Sequence, residues 1–97
     1  SELTDLALRV TAIYEDRFGA PDTAEFALAK MTEELGEVAG AFLQSKGQGR
    51  GSATPEDLAD EVADLLGFLL IFAAREGIDP AAALHRKWGK YLKDPMA

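Results

Sequence analysis

Five carboxylates fall into two tight groups, Glu33-Glu34-Leu35-Gly36-Glu37 and Glu61-Val62-Ala63-Asp64. Residues three apart on a helix lie about 60° apart around the axis and about 4.5 Å along it. Glu34 with Glu37, and Glu61 with Asp64, can therefore each aim at one point. Converging carboxylates repel one another unless a cation stands among them. Oxygen ligands without thiolate or imidazole suit a hard ion, Mg²⁺ or Mn²⁺. Either group alone also describes a solvated acidic face. Two such groups on consecutive helices, each beside the apolar stripe of its own helix, point to a metal site. Few basic residues lie near enough to neutralise these acids; Lys30 can pair with Glu33 or Glu34.

Other chemistries find no residues to carry them. There is no cysteine, which excludes disulfides and thiolate-bound zinc and makes a reducing, cytoplasmic setting the default. His85 is the single histidine, with Ala82 three residues before it, so the Glu-x-x-His pairs of a carboxylate di-iron bundle are missing. No Asp-x-Asp-x-Asp-Gly run marks a calcium loop. Gly47-Gln48-Gly49-Arg50-Gly51 lacks the Gly-Lys-Ser/Thr ending of a phosphate loop and reads as a linker, although Arg50 has the reach to close over phosphates. A formal net charge of −7 disfavours binding to a nucleic-acid backbone. A polyphosphate remains an acceptable ligand if metal ions stand between it and the carboxylates.

The elements that must position these groups are helices. Leu3, Leu6, Ala7, Val10, Ile13, Tyr14 and Phe18 recur at helical spacing, and Gly19 with Pro21 ends the run. A second helix is expected from Asp22, as cap with Glu25 completing a box, to Lys46 before Gly47. Its stripe is Leu28, Met31, Leu35, Val38 and Phe42. Thr54 and Pro55 open a third helix with the stripe Leu58, Val62, Leu65, Leu66, Leu69 and Ala73, closed by Gly77. Asp79 and Pro80 open a fourth, expected to run to Lys93 before Pro95. No stretch alternates with period two.

The longest apolar run, Leu65 to Ala74, is too short to span a bilayer, and the N-terminus carries no basic-then-apolar secretory pattern. Leu69, Leu70, Ile71 and Phe72 point in four directions around the third helix, so it needs cover on several sides. Three other short helices supply little, and a subunit interface is expected there, with Ile71 as a contact in a homodimer or homotetramer. The expectation is a single all-α domain over residues 1–97, a four-helix bundle with helices paired across a subunit interface.

Glu-Glu-x-x-Glu on one helix followed by Glu-x-x-Asp on the next resembles the all-α nucleoside triphosphate pyrophosphohydrolases of the MazG type. That group is similar to the dCTP pyrophosphatases and, more distantly, to dimeric dUTPases and phosphoribosyl-ATP pyrophosphatase. The resemblance covers roughly Phe26 to Lys93 and is strongest in Lys30–Phe42 and Asp57–Lys90. It implies Mg²⁺-dependent hydrolysis of an NTP or dNTP to the monophosphate and pyrophosphate, a nucleotide-pool housecleaning role. Glu34, Glu37, Glu61 and Asp64 would be metal ligands by this resemblance, and Glu33 would orient or deprotonate the attacking water or help hold a second ion. It also implies phosphate contacts from Lys87, Lys90 and Lys93, and from Tyr91 at a position where relatives commonly carry Asn. Lys93 stands where they carry Arg. Phe68, a turn beyond Asp64, matches an aromatic on which the dCTP branch stacks the base; its alternative is a place in the core. Two rival functions accompany this one, phosphoribosyl-ATP pyrophosphatase and a metal-free helical interaction module.

Overall fold

The computed structural model describes residues 1–93, with side chains through Leu92. It contains α1 (Glu2–Phe18), α2 (Ala24–Ser45), α3 (Pro55–Arg75), α4 (Pro80–Trp88) and the single turn α5 (Lys90–Lys93). No strand occurs among the described residues.

Local chemistry accounts for most of the boundaries. The Ser1 hydroxyl accepts the Thr4 N–H, and Gly19 ends α1 in the left-handed conformation at φ 67°, where a side chain is strained. At the start of α3 the Thr54 hydroxyl accepts the Asp57 N–H at 3.0 Å, and the Thr54 N–H donates to the Asp57 carboxylate at 2.9 Å. These reciprocal bonds satisfy two groups that the helix itself cannot pair. The Asp79 carboxylate caps α4 by accepting the Ala82 N–H at 3.1 Å.

Two expectations are corrected. The cap of α2 is Thr23, whose hydroxyl accepts the Phe26 N–H at 3.1 Å; the box expected of Asp22 and Glu25 does not form. Asp22 has a better partner. Arg75, at the far end of α3, donates to its two carboxylate oxygens at 2.9 and 2.7 Å. A forked guanidinium–carboxylate pair outcompetes a single backbone N–H, and it shows that α2 and α3 run antiparallel. The final helix is also broken: α4 is capped at Gly89, which itself keeps right-handed helical backbone, and α5 is a separate turn.

The α2–α3 hairpin is the centre of the molecule, and α1 packs along α3. The buried residues are mostly small, Ala27 and Ala41 of α2 with Ile71 and Ala73 of α3. Alanines between helices allow close approach but bury little apolar area. Much of each expected stripe stays in solvent. Leu28, Leu35 and Phe42, spaced seven apart on α2, are exposed, as are Val62, Leu66 and Leu69 of α3. Helix α1 lays Thr4, Ala7, Leu8 and Thr11 toward the body and leaves Leu3, Leu6, Val10, Ile13, Tyr14 and Phe18 outside. Ile71, expected at a subunit boundary, is only 7% exposed within its own chain; Leu69 of the same turn is the residue turned outward. Helices α4 and α5 pack on each other and make no extensive contact with α1–α3.

The radius of gyration is 16.3 Å. A compact chain of this length would have about 12.5 Å. The accessible surface is 7410 Å² for 10.4 kDa, where a compact monomer would expose about 5,400 Å².

Candidate metal and nucleotide site

Glu34 lies on the side of α2 that packs against α3, one helical turn beyond Lys30 and flanking Met31 and Val38 of the half-buried stripe. Glu61 and Asp64 flank Leu58 and Leu65 of α3 in the same way. Packing the two helices brings one carboxylate oxygen from each of Glu34, Glu61 and Asp64 within 4.8 Å of one another. Glu34 and Glu61 are half-buried and Asp64 is exposed, so the cluster opens to solvent at one side.

This donor set fits a hard divalent cation. Three carboxylates from two helices bring only oxygen donors together, and such a set would hold a hard divalent cation. Glu37 lies outside that three-residue grouping and is exposed, yet its charge reaches Glu61. Burial, and after it the charges of Asp64, Glu37, Glu34 and Asp60, hold the Glu61 carboxyl above its ordinary range. Within this cluster the negative charge is under strain, and a cation relieves it.

One cation is already built in. The Lys30 ammonium donates to Glu33 Oε2 at 3.0 Å and lies 3.7 Å from Glu34 Oε1. It also stands over the Phe68 ring, 5.7 Å from the centroid. The hydrogen bond to Glu33 raises its affinity for the proton above the ordinary lysine range; partial burial opposes this, and the charges of Glu33 and Glu34 add to it. The sequence spacing shows the Lys30 pairing with Glu33 and Glu34. Its contact with Phe68 needs the packing of α2 against α3, and no one-dimensional signal announces it.

The other expected residues are distributed unevenly. Glu33 sits at the rim, largely exposed and paired with Lys30. Phe68 is half-buried beside the cluster. Lys87, Lys90 and Tyr91 lie on α4 and α5, which do not fold back on the α2–α3 hairpin. Lys90 stands over its neighbour Tyr91, 5.2 Å from the ring centroid. The side chain of Lys93 lies outside the described residues. An apolar groove on the same arm is lined by Leu84, His85, Trp88, Gly89, Tyr91 and Leu92. Among the described residues no helix is long and apolar enough to cross a membrane.

Residues 4–86 match a family model described as phosphoribosyl-ATP pyrophosphohydrolase. No curated protein and no solved structure matches the chain.

Proposed function

From the premise that this chain belongs to the phosphoribosyl-ATP pyrophosphohydrolase family, we propose that it hydrolyses a nucleoside triphosphate, with Mg²⁺, to the nucleoside monophosphate and pyrophosphate. Water adds to phosphorus, the bond to the departing pyrophosphate breaks, and the water's protons pass to a base and solvent. The observation that carries this reading is the convergence of Glu34, Glu61 and Asp64 between two helices. Family membership favours such an enzyme over a metal-free helical interaction module.

Glu34, Glu61 and Asp64 would hold the ion, with Glu37 a further ligand one turn along α2. A bound Mg²⁺ neutralises phosphate charge, as metal ions do in phosphoryl transfer; Mn²⁺ is a workable substitute. Glu33 is at the rim with an exposed carboxylate, and its role would be to orient the attacking water and accept its proton. Phe68, half-buried beside the cluster, would stack the base. Lys87, Lys90 and Tyr91, with Lys93, would bind phosphates.

That last group stands on an arm that does not reach back over the hairpin, and this favours a site completed in a homodimer or homotetramer. The exposed surface exceeds that of a compact monomer by about 2,000 Å², whereas a standard interface buries about 800 Å² on each partner. The arm carries Arg86, Lys87, Lys90 and Lys93 and no acid before Asp94, while the hairpin carries the acidic cluster. Opposite charge between the arm of one protomer and the rim of another suits such an assembly. The absence of cysteine suits a cytoplasmic setting.

A second reading has its own support. The family match favours phosphoribosyl-ATP as the triphosphate, and the same bond would be broken. One assay separates the two: a panel of NTPs, dNTPs and phosphoribosyl-ATP incubated with Mg²⁺, with monophosphate and pyrophosphate separated by chromatography. Release of monophosphate and pyrophosphate from a standard or modified NTP supports the first reading, and release confined to phosphoribosyl-ATP supports the second. Nucleoside diphosphate and inorganic phosphate as sole products would refute both.

A further inference from the structure

Lys30 shares the carboxylate of Glu34 with the candidate metal site. Its ammonium lies 3.7 Å from Glu34 Oε1, and a carboxylate oxygen of the same Glu34 belongs to the cluster with Glu61 and Asp64. Lys30 is also the only cation paired with this cluster among the described residues. Its position is set from three sides: the Glu33 hydrogen bond at 3.0 Å, the Glu34 carboxylate, and the face of Phe68 at 5.7 Å from the other helix. With a quarter of its side chain exposed, it is held over the site rather than trailing in solvent.

A fixed ammonium beside a divalent site has two opposite effects. It repels a second cation arriving at the same carboxylate, so it weakens binding of metal alone. It attracts a polyphosphate, whose negative charge then sits between two cations, so it strengthens binding once nucleotide is present. Both follow from Coulomb's law over a few ångströms in a half-buried site, where screening by solvent is incomplete. A lysine that only braced α2 against α3 would not act with opposite signs on the two ligands.

We propose that Lys30 couples metal and nucleotide binding at this site: it disfavours the metal on the empty enzyme, then exchanges its carboxylate partners for a nucleotide phosphate and favours the metal–polyphosphate pair. This rests on the pyrophosphohydrolase reading above and deepens it, making Lys30 a substrate-binding residue. The unbranched stem of lysine permits the exchange. The ammonium needs to swing only from Glu33 toward the open side of the cluster, on a stem free to rotate about its single bonds.

The test compares wild type with Lys30→Met, which keeps the stem, and Lys30→Arg, which keeps the charge; circular dichroism checks that each is folded. Mn²⁺ binding to the nucleotide-free protein is measured by calorimetry. Binding of α,β-methylene-ATP, which resists cleavage between its first two phosphates, is then measured at saturating Mn²⁺. In Lys30→Met, the Kd for Mn²⁺ alone should fall about three- to tenfold, and the Kd for the nucleotide should rise about tenfold. Lys30→Arg should keep both within about threefold of wild type. Loss of both affinities together in Lys30→Met, or no change in either, overturns the proposal. Should Lys30→Met not fold, Lys30→Gln takes its place: tighter Mn²⁺ with weaker nucleotide binding supports the proposal, and loss of both or no change in either overturns it. None of these readings needs turnover. A wild type that binds Mn²⁺ with the expected Lys30 response but cleaves no nucleotide in the panel would discredit the pyrophosphohydrolase reading alone. A wild type that binds no Mn²⁺ removes both.

Discussion

Glu61 is the residue on which the metal site can be weighed without any activity. Its folded-state carboxyl titrates above its ordinary range, through burial and then through Asp64, Glu37, Glu34 and Asp60. The folded protein therefore holds this proton more tightly than the unfolded chain. Below the unfolded value both states are protonated and the group contributes nothing. As pH rises from there through the folded value, the carboxylate must form in an unfavourable place and stability of the metal-free protein is lost. Glu61→Gln should accordingly raise the metal-free melting temperature at neutral pH, and the difference from wild type should vanish once the pH is below the carboxylate range. Millimolar Mg²⁺ should raise the wild-type melting temperature by binding the native state, and raise that of Glu61→Gln less. Melting curves with and without Mg²⁺ at several pH values check this, and a wild type indifferent to Mg²⁺ would count against the site. Asp64→Asn keeps shape but removes a charged ligand. It should lower turnover by more than the 10–100-fold, about, that follows loss of an outer hydrogen-bonding partner, with helicity unchanged by circular dichroism. Phe68→Ala tests the base contact: one stacking interaction is worth roughly 1 kcal/mol, so KM for nucleotide should rise about tenfold or less. An unaltered KM would return Phe68 to a packing role alone.

At the scale of elements, the hairpin of α2 and α3 does the positioning, and its ends are secured by different means. The Thr54–Asp57 reciprocal cap orders the start of α3 two turns before Glu61. Thr54→Ala should cost about 1 kcal/mol of stability, seen in denaturant melts, with little change in Mg²⁺ affinity because the cluster lies further along the helix. Ile71 and Leu69 should behave differently although they share a turn. Ile71 is buried against its own chain, so Ile71→Ala should cost about 2–5 kcal/mol and lower the melting temperature at any protein concentration. Leu69 faces outward, so Leu69→Asp should spare the fold of the protomer and act on association. The physical reason is the packing of alanines along α2, which draws the helices together and takes Ile71 inside, leaving the larger leucines at the margin.

The whole molecule is more extended than its length warrants, and its apolar surface is grouped rather than scattered. The α1 stripe, the seven-residue spacing of Leu28, Leu35 and Phe42, and the α3 set Val62, Leu66 and Leu69 all stay exposed among the described residues. Contiguous exposed apolar stripes are rare on stable monomers. Light scattering should therefore report a dimer or tetramer, and Leu69→Asp should lower the mass and the turnover together. A stable, fully active monomer at working concentration would refute the assembly and with it the completion of the site by a partner's α4–α5 arm.

What the sequence by itself determined is what short-range chemistry controls. The caps at Thr54 and Asp79 and the glycine stop at Gly19 act within three or four residues, so helix positions follow from local spacing. The facing of Glu61 with Asp64 is likewise a property of one helix. The resemblance carried by Glu-Glu-x-x-Glu and Glu-x-x-Asp led to the same superfamily as the match over residues 4–86, which does not reach as fine as the likeness to the dCTP branch. Only the tertiary structure decided which carboxylates meet across helices, because that depends on how far α2 is rotated against α3. The rotation is set where Ala27 and Ala41 let the backbones approach, and it brings Glu34 together with Glu61 and Asp64 and leaves Glu37 within reach of Glu61 by charge. The same packing placed Lys30 over Phe68, and the antiparallel arrangement drew Asp22 from its expected cap to Arg75. An apolar stripe states that a face needs cover but not what covers it. For α1 and for much of α2 and α3 that cover does not come from the described residues, because their helices are few and the buried side chains small.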